Sequence, residues 1–366
     1  MSTLLTFIVV LGLLVFVHEL GHFVVARLCG IKVDEFGFGF PPRLWGFRRK
    51  DTVYSINWIP LGGFVRLHGE DKNERGPGTF LAQKAWKRTL VIVAGVTMNV
   101  VLAAFLFGIG FMRGLPADVG SGVPAGATIR NPQVQIVEVP EASPAATAGL
   151  QVGDALVRLN GETITDIPSA QDAAKRAGEV EVPVVIRRGD AEQTVQVTLK
   201  KLEGLERPGL GVSLAHTGMV SFGFFRSLWE GVLTAGRSFG YIVVAFKDFF
   251  VNLLVHREVG ADVAGPVGIA VLTGQVARLG FAYLLQFTAL LSLNLALINV
   301  LPIPALDGGR LLFLLLEKLR GKPVSTLLEA KIHNAGFVVL IGLIAVVTFR
   351  DILNLSAVQD FFQRLF

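Results

Sequence analysis

The sequence predicts an α-helical polytopic membrane protein with four transmembrane helices, a small membrane-associated β-hairpin and an inserted soluble α/β module. Three observations carry that expectation. The 366-residue chain is 52% hydrophobic and only 17% charged, with a mean hydropathy of +0.57, which is too apolar for an ordinary soluble enzyme. Apolar runs at residues 4–28, 90–112, 281–301 and 334–349 approach or exceed the roughly 20 residues that cross a bilayer. Between the second and third runs, residues 123–203 alternate short strand-like segments with turn signals, the pattern of a soluble domain.

The first run has no basic segment before it and no small-residue cleavage site before His18, so it is expected to stay on the mature chain. Lys and Arg gather in two stretches. One follows the first run, with Arg43, Arg48, Arg49, Lys50, Arg66, Lys72, Arg75, Lys84, Lys87 and Arg88. The other precedes the last run, with Arg310, Lys318, Arg320, Lys322 and Lys331. Short basic loops remain in the cytoplasm, which puts both stretches there and both termini outside. The net charge of +5 marks topology rather than a nucleic-acid surface, and no nucleic-acid partner is expected. A single cysteine, Cys29, excludes an intrachain disulfide and a cysteine-rich zinc site.

The expected organisation is a first transmembrane helix at 1–31, a cytoplasmic loop at 32–88, a second helix at 89–113 and the module at 123–203. A surface segment at 221–256, a third transmembrane segment at 281–316 and a fourth at 332–350 follow. Within the loop, residues 52–60 and 61–69 carry β-branched and aromatic residues around Pro60, Gly62 and Gly63, which reads as a short hairpin. In the module, strands are expected at 134–139, 155–159, 182–187 and 194–199, with a helix at 169–177. Residues 221–254 are apolar enough to span. At 100° per residue, however, Arg226, Glu230, Arg237 and Asp248 fall in one sector, which favours a helix lying in the interface.

His18-Glu19-Leu20-Gly21-His22 is an H-E-x-x-H motif. A spacing of four sets both imidazoles on one helix face, where they can share a zinc ion, and Glu19 beside them can serve as general base. Ionisable residues inside an apolar span are costly and mark function. Two histidines leave a zinc ion short of a ligand. His68, His216, His256 and His333 are ordinary polar or boundary residues by position. The better third ligand is Asp307, bracketed by Pro302, Pro304, Gly308 and Gly309; that composition implies a helix broken at membrane depth, tolerated where it lines a cavity. A helix cap at the boundary would also account for Asp307 taken alone. Asp307 shares a membrane depth with His18 and His22 only if residues 221–254 do not cross.

These motifs together resemble the site-2 protease family of intramembrane zinc metalloproteases, specifically the bacterial regulator-of-sigma-E type. The resemblance rests on the H-E-L-G-H helix, Gly37-Phe-Gly-Phe40, Gly62 through Glu70, Gly265-Pro-Val-Gly-Ile269 and Asn294 through Arg310. Within the module, Ser143-Pro-Ala, Ala148-Gly-Leu, Gly153-Asp and Asn160-Gly resemble a bacterial PDZ domain, in one copy where many relatives carry two.

The resemblance implies that His18, His22 and Asp307 bind Zn2+ and that Glu19 is catalytic. It puts Asn99, Asn294, Asn299, Pro302 and Pro304 in the substrate region and makes Gly62, Gly63, Phe64 and Val65 an edge strand for the substrate. The expected substrates are single-span membrane proteins trimmed by an upstream protease, cut in a bacterial inner membrane, with the PDZ domain on the periplasmic side and the active site toward the cytoplasm. The sequence departs from the family where Val96 replaces the usual proline. Gly209-Leu-Gly-Val212 resembles a carboxylate-binding loop, although a plain turn explains it better. A membrane-anchored PDZ scaffold and a metal transporter are the competing readings; intact Glu19 and Asp307 argue against the first, and the lack of repeated halves against the second.

Overall fold

The computed structural model describes residues 2–70, 76–120, 122–140, 142–189, 191–201, 208–256, 264–322 and 324–353. Along the chain come α1 (Thr3–Leu28), β1 (Val33–Arg49), β2 (Thr52–Leu67), α2 (Ala85–Arg113), β3 (Leu115–Asp118), β4 (Thr128–Glu138) and α3 (Pro144–Thr147). Next are β5 (Ala155–Leu159), β6 (Glu162–Thr163), α4 (Ile167–Ala177), β7 (Glu181–Arg188), β8 (Ala191–Thr198), β9 (Lys200–Lys201), β10 (Pro208–Gly209) and β11 (Ser213–Ser221). The rest is helical: α5 (Phe224–Val251) with a π turn at Asn252–His256, α6 (Pro266–Leu279), α7 (Phe281–Val300), α8 (Asp307–Arg320) and α9 (Thr326–Leu353). Lys72 and Arg75 of the basic loop lie outside the described residues.

Two compact units divide the chain. The first comprises residues 1–108, 229–278 and 284–366. Among the described residues five helices are long and apolar enough to cross a membrane: Thr3–Leu28, Ala85–Arg113, Phe224–Val255, Phe281–Val300 and Leu327–Leu353. Four of them extend or match the expected runs. The fifth is the segment expected to lie in the interface, so length and composition do not restrict the spans to four. Its charged stripe is not wholly solvated either, because Glu230 is buried. The reason is local: Gly231 lets this helix close on α2, and a methyl group there would stand 2.5 Å from the Ala104 carbonyl oxygen.

The loop after α1 departs from a simple hairpin. Residues 52–60 and 61–69 do not pair with each other, because both lie in β2 and flank the start of β1. Glu35 pairs with Arg66 on one side and Val53 on the other, and Gly37 with Phe64 and Ser55. The strand at 33–38 is therefore central, and residues 63–67 form an edge with no second strand partner among the described residues. Glycine at 37 makes room for this: a methyl group there would meet the Phe64 ring at 2.5 Å. Buried Glu35 ties the layers together by accepting from Arg43 at 2.6 Å and from Ser55 at 2.8 Å. The sheet docks on α1 through Phe36, whose ring centroid lies 5.6 Å from that of Phe16 and 5.0 Å from that of Phe23.

The second unit comprises residues 109–228 and 279–283. Its sheet runs β3-β11-β4-β5-β7-β8, with β6 on β5. The strand expected at 155–159 is present with those ends, and the other three expected strands and the helix are present with shifted ends. Residue 203 is too early a boundary, because β11 supplies the partner for both β3 and β4. Val134, Ile136, Leu156, Leu159, Val184 and Ile186 form part of its core.

The module's sequence signals have direct structural causes. Ser143 accepts from the Ala146 N–H to cap α3, with Pro144 at the first helical position. Asn160 and Gly161 both have positive φ, 50° and 83°, and close the two-residue β5–β6 turn, as such hairpins require. Asp154 is a buried clamp, accepting from Gln151 N at 2.9 Å and from Arg188 Nε and Nη2 at 2.7 Å each. That bidentate carboxylate holds the Arg188 guanidinium above its usual pKa. A groove of about 180 Å³ runs between α4 and residues 208–214, lined by Ile167, Ala170, Ala174, Leu210, Val212 and Leu214.

Candidate metal centre

Helix α1 carries His18 and His22 one turn apart, with ring centroids separated by 4.8 Å. Helix α7 stops at Val300 and α8 starts at Asp307, so the helix is broken where prolines and glycines foretold it. Glycines 308 and 309 allow the tight return. Methyl groups there would stand 2.2 Å from the Leu301 carbonyl oxygen and 2.5 Å from that of Ile303. Ala305 takes a positive φ of 78°, and its N–H donates to His333 Nδ1 at 2.9 Å. His333 is thus a support for the turn, a role the sequence did not signal. His68 instead faces Asp34 at 3.0 Å.

The turn brings Asp307 to the two histidines. Its Oδ2 lies 3.1 Å from His18 Nε2 and 3.2 Å from His22 Nε2, and the two Nε2 atoms are 3.2 Å apart. The three side chains are 9%, 13% and 15% exposed. Asp307 Oδ2 is buried, and no donor meets it with hydrogen-bond geometry. A near-equilateral triangle of lone-pair atoms is what one face of a tetrahedral zinc site requires, since bonds of about 2.0–2.1 Å give edges of about 3.3 Å. The donor set and the orphaned oxygen therefore fit a zinc ion.

Helix α2 completes the surroundings. The Val91 carbonyl oxygen lies 2.8 Å from His22 Nδ1; accepting that proton leaves Nε2 with a free lone pair. Asn99, with no exposed surface, is 3.3 Å from His18 Nδ1. Between them Gly95 leaves space for both rings, because a methyl group there would stand 2.3 Å from His22 Nε2. These α2 positions recur every four residues, the same period as the two histidines; the sequence singled out Asn99, while nothing marked Val91 as a partner of His22.

Glu19 neighbours the sheet edge. A methyl group at Gly63 would stand 3.5 Å from Glu19 Cγ. Gly62 and Phe64 face their own sheet, Gly62 against the Phe40 ring and Phe64 over Gly37. Val65 packs into the cluster of Ala26, Val33 and Val91. Asn294 lies in an apolar groove of about 220 Å³ with Phe7, Leu14, Pro266 and Ile298, its amide donating to the Leu290 carbonyl at 3.0 Å. Asn299 sits in the last turn of α7, Pro302 is exposed on the following turn, and Pro304 packs against Gly336 of α9.

Comparison with known sequences decides the family. Peptidase family M50 matches residues 6–343. The chain belongs to peptidase family M50. It is a site-2 protease relative, a zinc metalloprotease with several membrane helices. Zinc metalloprotease RasP of Bacillus licheniformis is 32% identical, over 97% of this chain and 100% of its own. Regulator of sigma-W protease RasP of Bacillus subtilis is 30% identical, over 97% and 99%. An Agrobacterium fabrum protein provisionally named a zinc metalloprotease is 32% identical over 95% of both chains. Among solved structures, the PDZ domain of the SdrC-like protein from Listeria monocytogenes is similar to 24% of this chain and 92% of its own, at 20% identity and a TM-score of 0.22.

Proposed function

We propose that this M50 peptidase hydrolyses peptide bonds within or near the transmembrane segments of single-span membrane proteins, using His18, His22 and Asp307 as zinc ligands and Glu19 as general base. The observation that carries the reading is the triangle of His18, His22 and Asp307 donor atoms, 3.1–3.2 Å on a side. When bound, zinc supplies Lewis acidity that polarises the scissile carbonyl and acidifies water. Glu19 accepts the proton of the attacking water and returns it to the departing amine. The test is cleavage of a panel of single-span proteins by the purified chain, abolished by a chelator and restored by zinc. A zinc-loaded chain that cuts none of them, while the same panel is cut by another intramembrane protease, would sink the proposal.

A helical substrate hides its scissile carbonyl in the backbone hydrogen-bond ladder and must unwind first. The edge at 63–67 is suited to take up the freed groups by strand addition. Proline cannot donate to such a ladder. Neighbouring N–H groups on a strand point to opposite sides. Val65→Pro or Leu67→Pro, or else Arg66→Pro between them, is therefore expected to lower cleavage several-fold by removing an outward donor, with zinc content retained. Unchanged cleavage in all three would remove strand addition from the mechanism. Asn294, Asn299, Pro302 and Pro304 are proposed to shape the same region.

The name of the sigma-W relative supports a role in regulated proteolysis, with anti-sigma factors and signal-peptide remnants as the candidate substrate classes and an upstream protease making the first cut. The basic segments support a four-span topology, with the metal toward the cytoplasm and residues 123–203 outside. A reporter fused inside the module should then be outside and one at Lys72 inside; finding both on one side overturns this topology.

The module itself is proposed to exclude substrates that retain bulky outer domains. Replacing the whole sheet, β3 through β11, by a short linker so that no unpaired strand is left should permit cutting of such substrates by a zinc-loaded chain. Continued protection of the long substrate would favour recognition of a trimmed chain end in the groove instead.

A further inference from the structure

We infer that Asn99 is a positioning residue for the metal centre, its side-chain oxygen accepting the Nδ1 proton of His18 and so fixing Nε2 as the nitrogen that binds zinc. The inference rests on the zinc site proposed above. A neutral imidazole that gives Nε2 to a metal must carry its proton on Nδ1. The group 3.3 Å from that atom is the Asn99 amide nitrogen, itself a donor, while Asn99 Oδ1 is buried with no partner. A half-turn of the amide exchanges its oxygen and nitrogen with almost no change of shape. The rotation matches a donor to an acceptor at His18, with the amide nitrogen taking the place that Oδ1 held.

The surroundings point the same way. An amide with no exposed surface among apolar helices is costly unless it is paired. Asn99 is held at this level by a second helix, because Ser292 of α7 donates its hydroxyl to the Asn99 carbonyl at 2.8 Å. On α2, Val91, Gly95 and Asn99 stand four residues apart, facing His18 and His22, also four apart. Val91 serves His22, Asn99 serves His18, and Gly95 makes room for both rings. Each imidazole thus has one partner from α2. With no surface to offer a substrate, Asn99 acts through His18.

The experiment uses the full chain in detergent, with zinc alone as ligand and affinity read by chelator competition. Asn99→Leu keeps the number and branching of side-chain heavy atoms and removes the acceptor; Asn99→Asp keeps an acceptor. Asn99→Leu is expected to weaken zinc binding by about 10–100-fold, the usual effect of losing an outer hydrogen bond to a metal-bound histidine. Asn99→Asp is expected to bind within a few-fold of the unmodified chain or more tightly. Equal affinity of Asn99→Leu and unmodified chain overturns the inference, as does an Asn99→Asp variant as weak as Asn99→Leu.

If Asn99→Leu fails to fold, ring-nitrogen spectra of the unmodified zinc-loaded chain decide. A proton on His18 Nδ1, with a resonance that moves in Asn99→Asp, supports the inference, and a bare Nδ1 overturns it. Failure of the zinc site itself would look different, because Asp307→Ala would then keep its zinc.

Discussion

Glu19→Gln should retain a full complement of zinc and lose nearly all turnover, whereas Asp307→Ala should lose both. The two carboxylates sit close together but are assigned different work. Asp307 Oδ2 points at both Nε2 atoms from 3.1 and 3.2 Å, so its removal takes away one corner of the donor triangle and leaves two imidazoles, too few for a tightly held catalytic zinc. Glu19 has no place in that triangle. Glutamine fills the same volume beside Gly63 and leaves the His18–His22–Asp307 geometry alone, but it cannot take a proton. A positioned general base contributes about 10²–10⁴-fold to rate, and turnover should fall by that factor. Metal analysis of each purified variant, paired with cleavage of one single-span substrate, makes the measurement. Normal zinc in Asp307→Ala would remove that residue from the ligand set, and near-normal turnover in Glu19→Gln would remove Glu19 as base.

The meeting of His18, His22 and Asp307 was legible because its signals are local. His18 and His22 announce themselves by a spacing of four inside an apolar run, and Pro302, Pro304 and the glycines after Asp307 announce a broken helix. The module was legible for a similar reason, since turn residues such as Asn160-Gly161 and the cap at Ser143 act over two or three positions. What escaped was long-range. Adjacent strand-like halves at 52–60 and 61–69 invite a hairpin, and nothing local tells that residues 33–38 slot between them; register across a sheet is set by distant partners. Helix α6, with 14 residues, is too short to be read as a span. Strand β11 lay beyond the expected boundary of the module because its partners, β3 and β4, lie about 90 residues upstream. The α2 stripe of Val91, Gly95 and Asn99 has a readable period, but its meaning depends on which helix it faces.

That stripe yields the most discriminating substitution, because at Gly95→Ala the intrinsic helix preference and the space the two imidazoles need pull in opposite directions. Alanine is favoured over glycine in a helix interior by about 0.8–1.0 kcal/mol, so the change should strengthen α2 if only the helix mattered. At this position the new methyl group would stand 2.3 Å from His22 Nε2, 2.7 Å from His22 Cε1 and 2.8 Å from His18 Cε1. Those distances are far inside ordinary contact, so the rings must give way. His22 is tied to the Val91 carbonyl and His18 to Asn99, so neither can retreat without leaving its partner. Swinging them aside carries both Nε2 atoms away from Asp307. The expected result is loss of zinc and of cleavage; overpacking costs about 1–3 kcal/mol, which offsets the helix-propensity gain, so the zinc-free protein should unfold at the same temperature or a few degrees lower. Gly236→Ala in α5 is the control, since a methyl group there meets nothing within 4 Å, and that variant should hold zinc as the unmodified chain does. A Gly95→Ala protein that binds stoichiometric zinc would show that the imidazoles reach the ion from another side, and that this glycine serves only the close approach of α1 and α2.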